Sequence, residues 1–83
     1  MILKICAVKD RAVDAFGVPF FVKSAGEAMR SFEDEVNRKE SPFYAHPDDY
    51  DLYRIGEYDD ASGLVTGVGP DLLSRGKDVI NKE

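Results

Sequence analysis

The clearest periodicity of hydrophobic and polar residues in this chain lies between Ser24 and Lys39, and its period is that of an α-helix. Apolar residues recur there every three or four positions, which stacks them on one side of an α-helix; they are Ala25, Ala28, Met29, Phe32 and Val36. Ser24 and Glu27 form an S-x-x-E capping box that predicts the first turn. Two pairs of opposite charge at i,i+4 are each expected to add about 0.2–0.5 kcal/mol. They are Asp34 with Arg38 and Glu35 with Lys39.

Short apolar or alternating stretches on both sides of this helix predict strands. The four predicted strands are Ile2–Val8, Phe20–Lys23 (directly after Pro19), Tyr50–Tyr58 and Leu64–Thr66. The alternation slips within the third strand, where Tyr53 and Ile55 share a face. Tyr58 can join that face only if a residue is inserted near Gly56, so the pattern predicts a β-bulge there.

Polar stretches connect these elements. Residues 9–17 form a connection in which Val13 and Phe16 are expected to pack back onto the body, and residues 40–49 form a loop with two prolines and exposed aromatics. Residues 59–63 form a hairpin loop with Gly63 in the left-handed conformation. The predicted fold is therefore a single small α+β domain over residues 1–66, ordered β-β-α-β-β. Its four-stranded, mainly antiparallel sheet carries the amphipathic helix on one face, and residues 67–83 follow as a loop or short helical tail.

Size and charge limit what the domain can do. With 83 residues, the chain buries only about 60–65% of its unfolded surface, so a homodimer or higher homo-oligomer is expected. Its net charge of −5 gives no overall positive field toward nucleic acid or membranes. A single cysteine, Cys6, fits a reducing compartment. No stretch approaches the roughly 18 apolar residues of a membrane span, so we expect a cytosolic protein with no membrane partner.

The chain offers little for catalysis or cofactor binding. It has no Gly-rich phosphate loop, no CxxC or HExxH spacing and no Ser-His-Asp set. His46 could hold a cation together with Asp48 and Asp49, joined by Asp59 and Asp60, but HPDDY is also an ordinary turn sequence. Cys6 lies within an apolar strand, where cysteine normally behaves as a small buried hydrophobe. We therefore expect no enzyme activity, no cofactor and no metal site.

Aromatic and basic residues on the predicted strands suggest a different activity. Single-stranded nucleic acid is bound by stacking of bases on aromatic rings that are flanked by Lys or Arg. The candidate nucleic-acid-binding residues are Lys4, Lys9, Phe21, Lys23, Tyr53 and Arg54. The alternative is that most of the rings fill the core and that one or two lie in a dimer interface.

Three segments of the chain resemble a known family. They are PFFVKSAGEAMRSFEDEVN (Pro19 to Asn37), SPFYAHPDDYDLY (Ser41 to Tyr53) and IGEYDDASG (Ile55 to Gly63). In this order they resemble the small non-structural protein of gokushoviruses, single-stranded DNA phages of the Microviridae. The resemblance implies a non-capsid protein of the host bacterial cytoplasm, acting in viral single-stranded DNA synthesis or in the switch to packaging. It supplies no catalytic residues.

Two hypotheses follow. In the first, the protein is a non-enzymatic DNA-binding accessory of viral DNA replication. In the second, it is a homo-oligomeric protein-interaction module that binds the replication initiator, a capsid or scaffold component, or a host factor. The acidic helix face at residues 33–35 would then be a contact surface, together with the candidate partner-binding residues Phe43, Tyr44, His46, Asp48 and Asp49. Clustering of Lys4, Lys9, Lys23 and Arg54 on one sheet face would favour the first hypothesis, and an exposed apolar strand edge would favour the second.

Overall fold

The computed structural model describes residues 1–81 and confirms an α+β domain in which one main helix packs against an antiparallel sheet. Residues 82 and 83 of the predicted tail lie outside the described residues. The strands are β1 (Ile2–Asp10), β2 (Ala15–Phe16), β3 (Phe20–Val22), β4 (Tyr50–Asp59) and β5 (Leu64–Arg75). The helices are α1 (Ala25–Val36), α2 (Pro42–Ala45) and α3 (Gly76–Val79), with a 3₁₀ turn at Pro47–Asp49.

The sheet has the strand order β2-β1-β4-β5, and β3 pairs with the same edge of β1 as β2 does. Every pairing is antiparallel. The tight turn between β4 and β5 forms as predicted, with Gly63 at a φ of 76° and its N–H donating to the Asp59 carbonyl at 2.7 Å. Glycine adopts this left-handed conformation without the steric cost that a Cβ would add.

Helix α1 begins where the capping box predicts and ends earlier than the charge pattern suggests. The Ser24 hydroxyl accepts the Glu27 N–H at 3.2 Å, and the Glu27 carboxylate accepts the Lys23 N–H at 3.3 Å. Because the last helical residue is Val36, the predicted i,i+4 ion pairs were wrong. Arg38 lies beyond the last turn and instead binds Glu35, three residues earlier, at 2.8 Å.

The core lies between α1 and the sheet. Its buried residues are Cys6, Val22, Ala28, Phe32, Val36 and Leu52. Met29, assigned to the same helical stripe, is 40% exposed and lies at its margin. Cys6 is fully buried, as the apolar strand predicted, and burial raises the pKa of its thiol. This cysteine therefore acts as a packing residue.

The connection after β1 was only partly predicted. It contains a short strand, β2, which folds back to pair Phe16 with Lys9 and Ala15 with Asp10. Val13 is 68% exposed, so the expectation that it packs back onto the body was wrong. Its place in a tight turn next to Asp14, whose φ is 56°, directs it into solvent.

Residues 40–49 contain two short helical turns where a loop was predicted. The Ser41 hydroxyl accepts the Phe43 N–H at 3.1 Å and so caps α2. Phe43 then stacks on Tyr50 with ring centroids 4.2 Å apart and lies 6.0 Å from the Phe32 ring. The aromatic side chain at Phe43 is therefore a half-buried extension of the core, packed inward by the capped turn.

The return strand is far longer than the predicted Leu64–Thr66, because β5 continues to Arg75 through residues that read as a tail. Glycines and a cis peptide bond between Gly69 and Pro70 interrupt its apolar pattern. After β5, α3 is tied to the end of α1, since the Asn37 side-chain amide donates to the Val79 carbonyl at 3.0 Å.

Candidate nucleic-acid interface

The sheet face opposite α1, called the open face below, carries side chains in four rows across the strands. Residues paired across an antiparallel ladder point to the same face, so the strand registers define each row. The rows are Phe16–Lys9–Asp51–Arg75, then Ala7–Tyr53–Leu72, then Phe21–Ile5–Gly56–Gly67, and finally Leu3–Tyr58–Val65.

A β-bulge in β4 keeps the two tyrosines of this face together. The pairing with β1 shifts between Ile5 opposite Gly56 and Cys6 opposite Arg54, which leaves Ile55 as the extra residue. The bulge predicted near Gly56 is therefore confirmed. Tyr53 and Tyr58 are five positions apart, so in a regular strand their side chains would point to opposite faces.

Four aromatic side chains of the open face form two edge-to-face pairs. The ring centroids of Phe16 and Tyr53 are 5.6 Å apart at 71°, and those of Phe21 and Tyr58 are 5.7 Å apart at 79°. Phe16 is 42% and Phe21 52% exposed. Partly exposed rings that are fixed by their neighbours offer rigid surfaces for stacking.

The two aromatic pairs are separated along the sheet by a stretch of low relief. Tyr53 lies opposite Ala7 and Tyr58 opposite Leu3, which places them about 13 Å apart along β1. Gly67, opposite Gly56 in the row between them, has no atom within 4 Å of the position of an added Cβ. On β4 and β5 the open face therefore carries no side chain in the row between Tyr53 and Tyr58.

Basic side chains gather at one end of the open face. Asp51 is 3% exposed and accepts an ion pair from Arg75 at 3.2 Å and from Arg11 at 4.0 Å. Lys9, opposite Asp51 on the neighbouring strand, lies 5.7 Å from the centre of the Phe16 ring and 3.1 Å from the Asp14 carboxylate. Lysine and arginine therefore lie next to the Phe16–Tyr53 pair.

The structure brings only some of the sequence-predicted nucleic-acid residues together. Lys9, Phe21 and Tyr53 share the open face. Lys4 and Arg54 belong to the opposite face, because they pair with the core residues Val22 and Cys6. Lys23 is an exposed residue just beyond the end of β3. Lys4, Lys9, Lys23 and Arg54 therefore do not cluster on one sheet face, so the observation that would favour the DNA-binding hypothesis over the interaction module is not made for these four residues.

Arg54 is further engaged by carboxylates. Its guanidinium lies 3.2 Å from Asp71 and 3.7 Å from Glu57. The basic residues that lie at the open face instead, Arg11 and Arg75, were not among the predicted candidates. Arg75 falls in the part of β5 that read as a tail, so nothing in the local sequence placed it beside Asp51.

The predicted partner-binding residues occupy the two short turns after α1. Phe43 packs into the margin of the core, Tyr44 is half-buried, and His46 and Asp48 are exposed. The Asp49 carbonyl accepts the Arg11 N–H at 2.7 Å, which attaches this segment to the turn after β1. Within residues 1–81, no three His, Cys, Asp or Glu side chains converge in a way that could hold a metal ion.

Comparison with known proteins identifies a family. The family model described as Phage ORF5 protein matches residues 3–79. No curated protein and no solved structure matches the chain. Over residues 1–81 the fold has no helix that is both long and apolar enough to cross a membrane.

Proposed function

The chain belongs to the Phage ORF5 protein family, and from that premise we propose that it is a non-enzymatic phage protein that binds single-stranded DNA on its open face. The observation that carries this proposal is two aromatic contacts on the open face, Phe21 with Tyr58 and Phe16 with Tyr53, of which the second lies next to Lys9 and Arg75. Stacking contributes about 1–3 kcal/mol per base and tolerates any sequence.

The setting that fits this activity is the replication of a single-stranded DNA phage. The resemblance to the gokushovirus non-structural protein adds the finer assignment: viral DNA synthesis or the switch to packaging, in the cytoplasm of the host bacterium. A protein that coats the viral strand needs stacking and a few phosphate contacts, and it needs no catalytic group.

The acidic net charge does not oppose this activity uniformly over the surface. Exposed acids such as Glu33 and Asp34 lie on α1, on the opposite side of the sheet from the open face. Lys9, Arg11 and Arg75 lie together at one end of the open face. Because charges beyond a Debye length of about 8 Å are largely screened at physiological salt, the field at the Phe16–Tyr53 pair is set by the nearby cations Lys9, Arg11 and Arg75 together with the carboxylates of Asp14 and Asp51.

Fluorescence anisotropy of labelled single-stranded and duplex oligonucleotides, at several salt concentrations, tests the proposal. We expect preference for the single strand and a negative slope of log affinity against log salt concentration. Tyr53→Ala and Phe21→Ala should each weaken binding by about 1–3 kcal/mol. Tyr44→Ala is the matched control, because it removes an aromatic ring from α2, away from the open face. Binding that is unchanged in both folded open-face variants would contradict stacking.

The edge of the sheet supports a second function, a protein-interaction module that self-associates. Strand β5 forms an edge, and its Leu64 and Val65 are 66% and 64% exposed. Exposed apolar edge strands pair with further chains, and a lysine on the edge prevents such pairing. Light scattering should then show a mass that rises with protein concentration in the wild type and stays monomeric in Val65→Lys. A constant monomer mass would remove this second function.

A further inference from the structure

The basic end of the open face is organised around one buried acid. The Asp51 side chain lies beneath the guanidiniums of Arg75 and Arg11 and opposite Lys9 in the neighbouring strand. Burying a carboxylate is costly unless charged partners and hydrogen bonds compensate it. Asp51 therefore holds Arg75 by a hydrogen bond at this end of the sheet and attracts Arg11 at the longer distance of 4.0 Å.

The arginines keep hydrogen-bonding capacity beyond these contacts. Arg75 donates to Asp51 through Nη1, and Arg11 approaches Asp51 with Nε while its Nη1 donates to the Asp48 carbonyl at 3.3 Å. Each guanidinium carries five N–H donors, and the Arg75 and Arg11 side chains are 36% and 52% exposed. Their remaining donors can reach an anion on the surface.

Lys9 adds a third cation whose present partner is easily replaced. Its ammonium lies 3.1 Å from Asp14, a carboxylate that is 86% exposed. Ion pairs of such exposed carboxylates are weak. An incoming phosphate can therefore take the place of Asp14 at Lys9.

We propose that Lys9, Arg11 and Arg75 form a phosphate-binding subsite that Asp51 preorganises. The proposal rests on the proposed function, because the subsite would bind the backbone phosphate of the nucleotide whose base stacks on Phe16 and Tyr53. Two ligands could supply the phosphate that this subsite binds: a phosphodiester of the bound DNA strand, or free phosphate. Arginine held in place by a buried acid suits phosphate because its planar donors match the phosphate oxygens.

The strand-bound source is tested by the salt dependence of single-strand binding. Arg75→Gln should weaken binding about tenfold at low salt and lower the absolute salt slope by about 0.7, the value of one phosphate contact on a single strand. Lys9→Gln should act in the same direction and leaves the buried Asp51 pairing with Arg75 intact, so it serves if Arg75→Gln does not fold. Arg30→Gln, which removes the same charge from the exposed side of α1, should leave the slope unchanged.

Free phosphate is tested directly on the wild-type protein. Inorganic phosphate, titrated against chloride at matched ionic strength, should shift the backbone amide resonances of Lys9, Arg11 and Arg75 saturably. Saturable shifts in a protein that does not bind single strands would keep the subsite, assign it to free phosphate and refute the proposed function. Single-strand binding with wild-type slopes in Arg75→Gln and Lys9→Gln, and no saturable phosphate shift, would overturn the subsite and leave the proposed function standing. If the wild-type protein neither bound single strands nor showed saturable phosphate shifts, both the subsite and the proposed function would be overturned.

Discussion

Replacing Gly76 with alanine tests the close packing that holds the 46–49 segment near the basic end of the open face. Gly76 is buried at the start of α3, and an added methyl would lie 3.0 Å from the Tyr50 carbonyl oxygen and closer still to that of Pro47. Both contacts are backbone atoms, which cannot rotate away as a side chain can. Overpacking of this kind costs about 1–3 kcal/mol.

The gain from replacing a helical glycine offsets only part of that cost. Alanine is favoured over glycine by about 0.5–1 kcal/mol inside a helix, so we expect Gly76→Ala to destabilise the domain by about 1–2 kcal/mol. In a domain of 60–100 residues this corresponds to a lower melting temperature by roughly 4–16 °C. The displaced Pro47–Asp49 turn would also disturb Arg11, which binds its carbonyl groups.

Urea unfolding followed by circular dichroism measures the effect as a lower midpoint at unchanged m. Gly67→Ala is the matched control, because the same methyl group in β5 would meet no atom within 4 Å. That variant should be as stable as the wild type or more stable by up to about 1 kcal/mol. If Gly76→Ala matched Gly67→Ala in stability, the packing account of this segment would be wrong.

Four further predictions follow from individual residues. Ser24→Ala should lower stability by about 1 kcal/mol in the same urea assay, because the α1 cap is lost, and Ser24→Asp should retain most of it. The Arg38 guanidinium lowers the pKa of Glu35, so their ion pair stabilises the fold fully above the ordinary carboxyl pKa of 4.5. This contribution is lost as the pH falls through the lowered pKa of the folded state. Arg38→Gln should therefore be less stable than the wild type at neutral pH and equal to it in strong acid, as measured by urea unfolding. Cys6 should react with a maleimide in native buffer only at the rate of unfolding, and immediately in urea; fast native labelling would contradict its burial. Gly67→Val should weaken single-strand binding in the anisotropy assay, because the added side chain stands on the open face between the rings, while the melting temperature stays the same or rises. Unchanged binding would mean that DNA does not bind at this part of the open face.

The sequence predicts those parts of the fold that depend on neighbouring residues. The α1 cap needs only Ser24 and Glu27, which lie three residues apart, and the bulge in β4 shows as a slip in an otherwise regular alternation. The helix end was missed because Asn37, its C-cap, contacts the Val79 carbonyl of α3, 42 residues later in the chain. The C-terminal end of α1 therefore depends on tertiary contacts that cannot be read from the i,i+4 spacing of charges.

The second half of β5 was missed for a different reason. Its Gly67, Gly69 and Pro70 are typical of loops, yet long pairing with β4 keeps the segment in the sheet. Gly67 stays paired with Gly56, and Gly69 and Pro70 fall in the irregularity between the Arg54–Asp71 and Gly56–Gly67 pairs. Because this part of the strand was missed, Arg75 was missed too, and with it the ion pair that Arg75 forms with the buried Asp51. Tyr53 and Phe21 could be found from local pattern, whereas the basic end of the open face depends on strand register.

The distribution of charge favours one mode of DNA binding over another. The basic end contains Lys9, Arg11 and Arg75, and two carboxylates, Asp14 and Asp51, lie among them. Because there are only a few cations, they can neutralise only a few phosphates. The slope of log affinity against log salt concentration should therefore be shallow, at about −0.7 per phosphate contact on a single strand. Stacking would then supply most of the affinity and would not depend on base identity. From the proposed function we expect a protein of this design to bind extended single strands reversibly and to prefer them to duplex DNA, because paired bases cannot reach its rings.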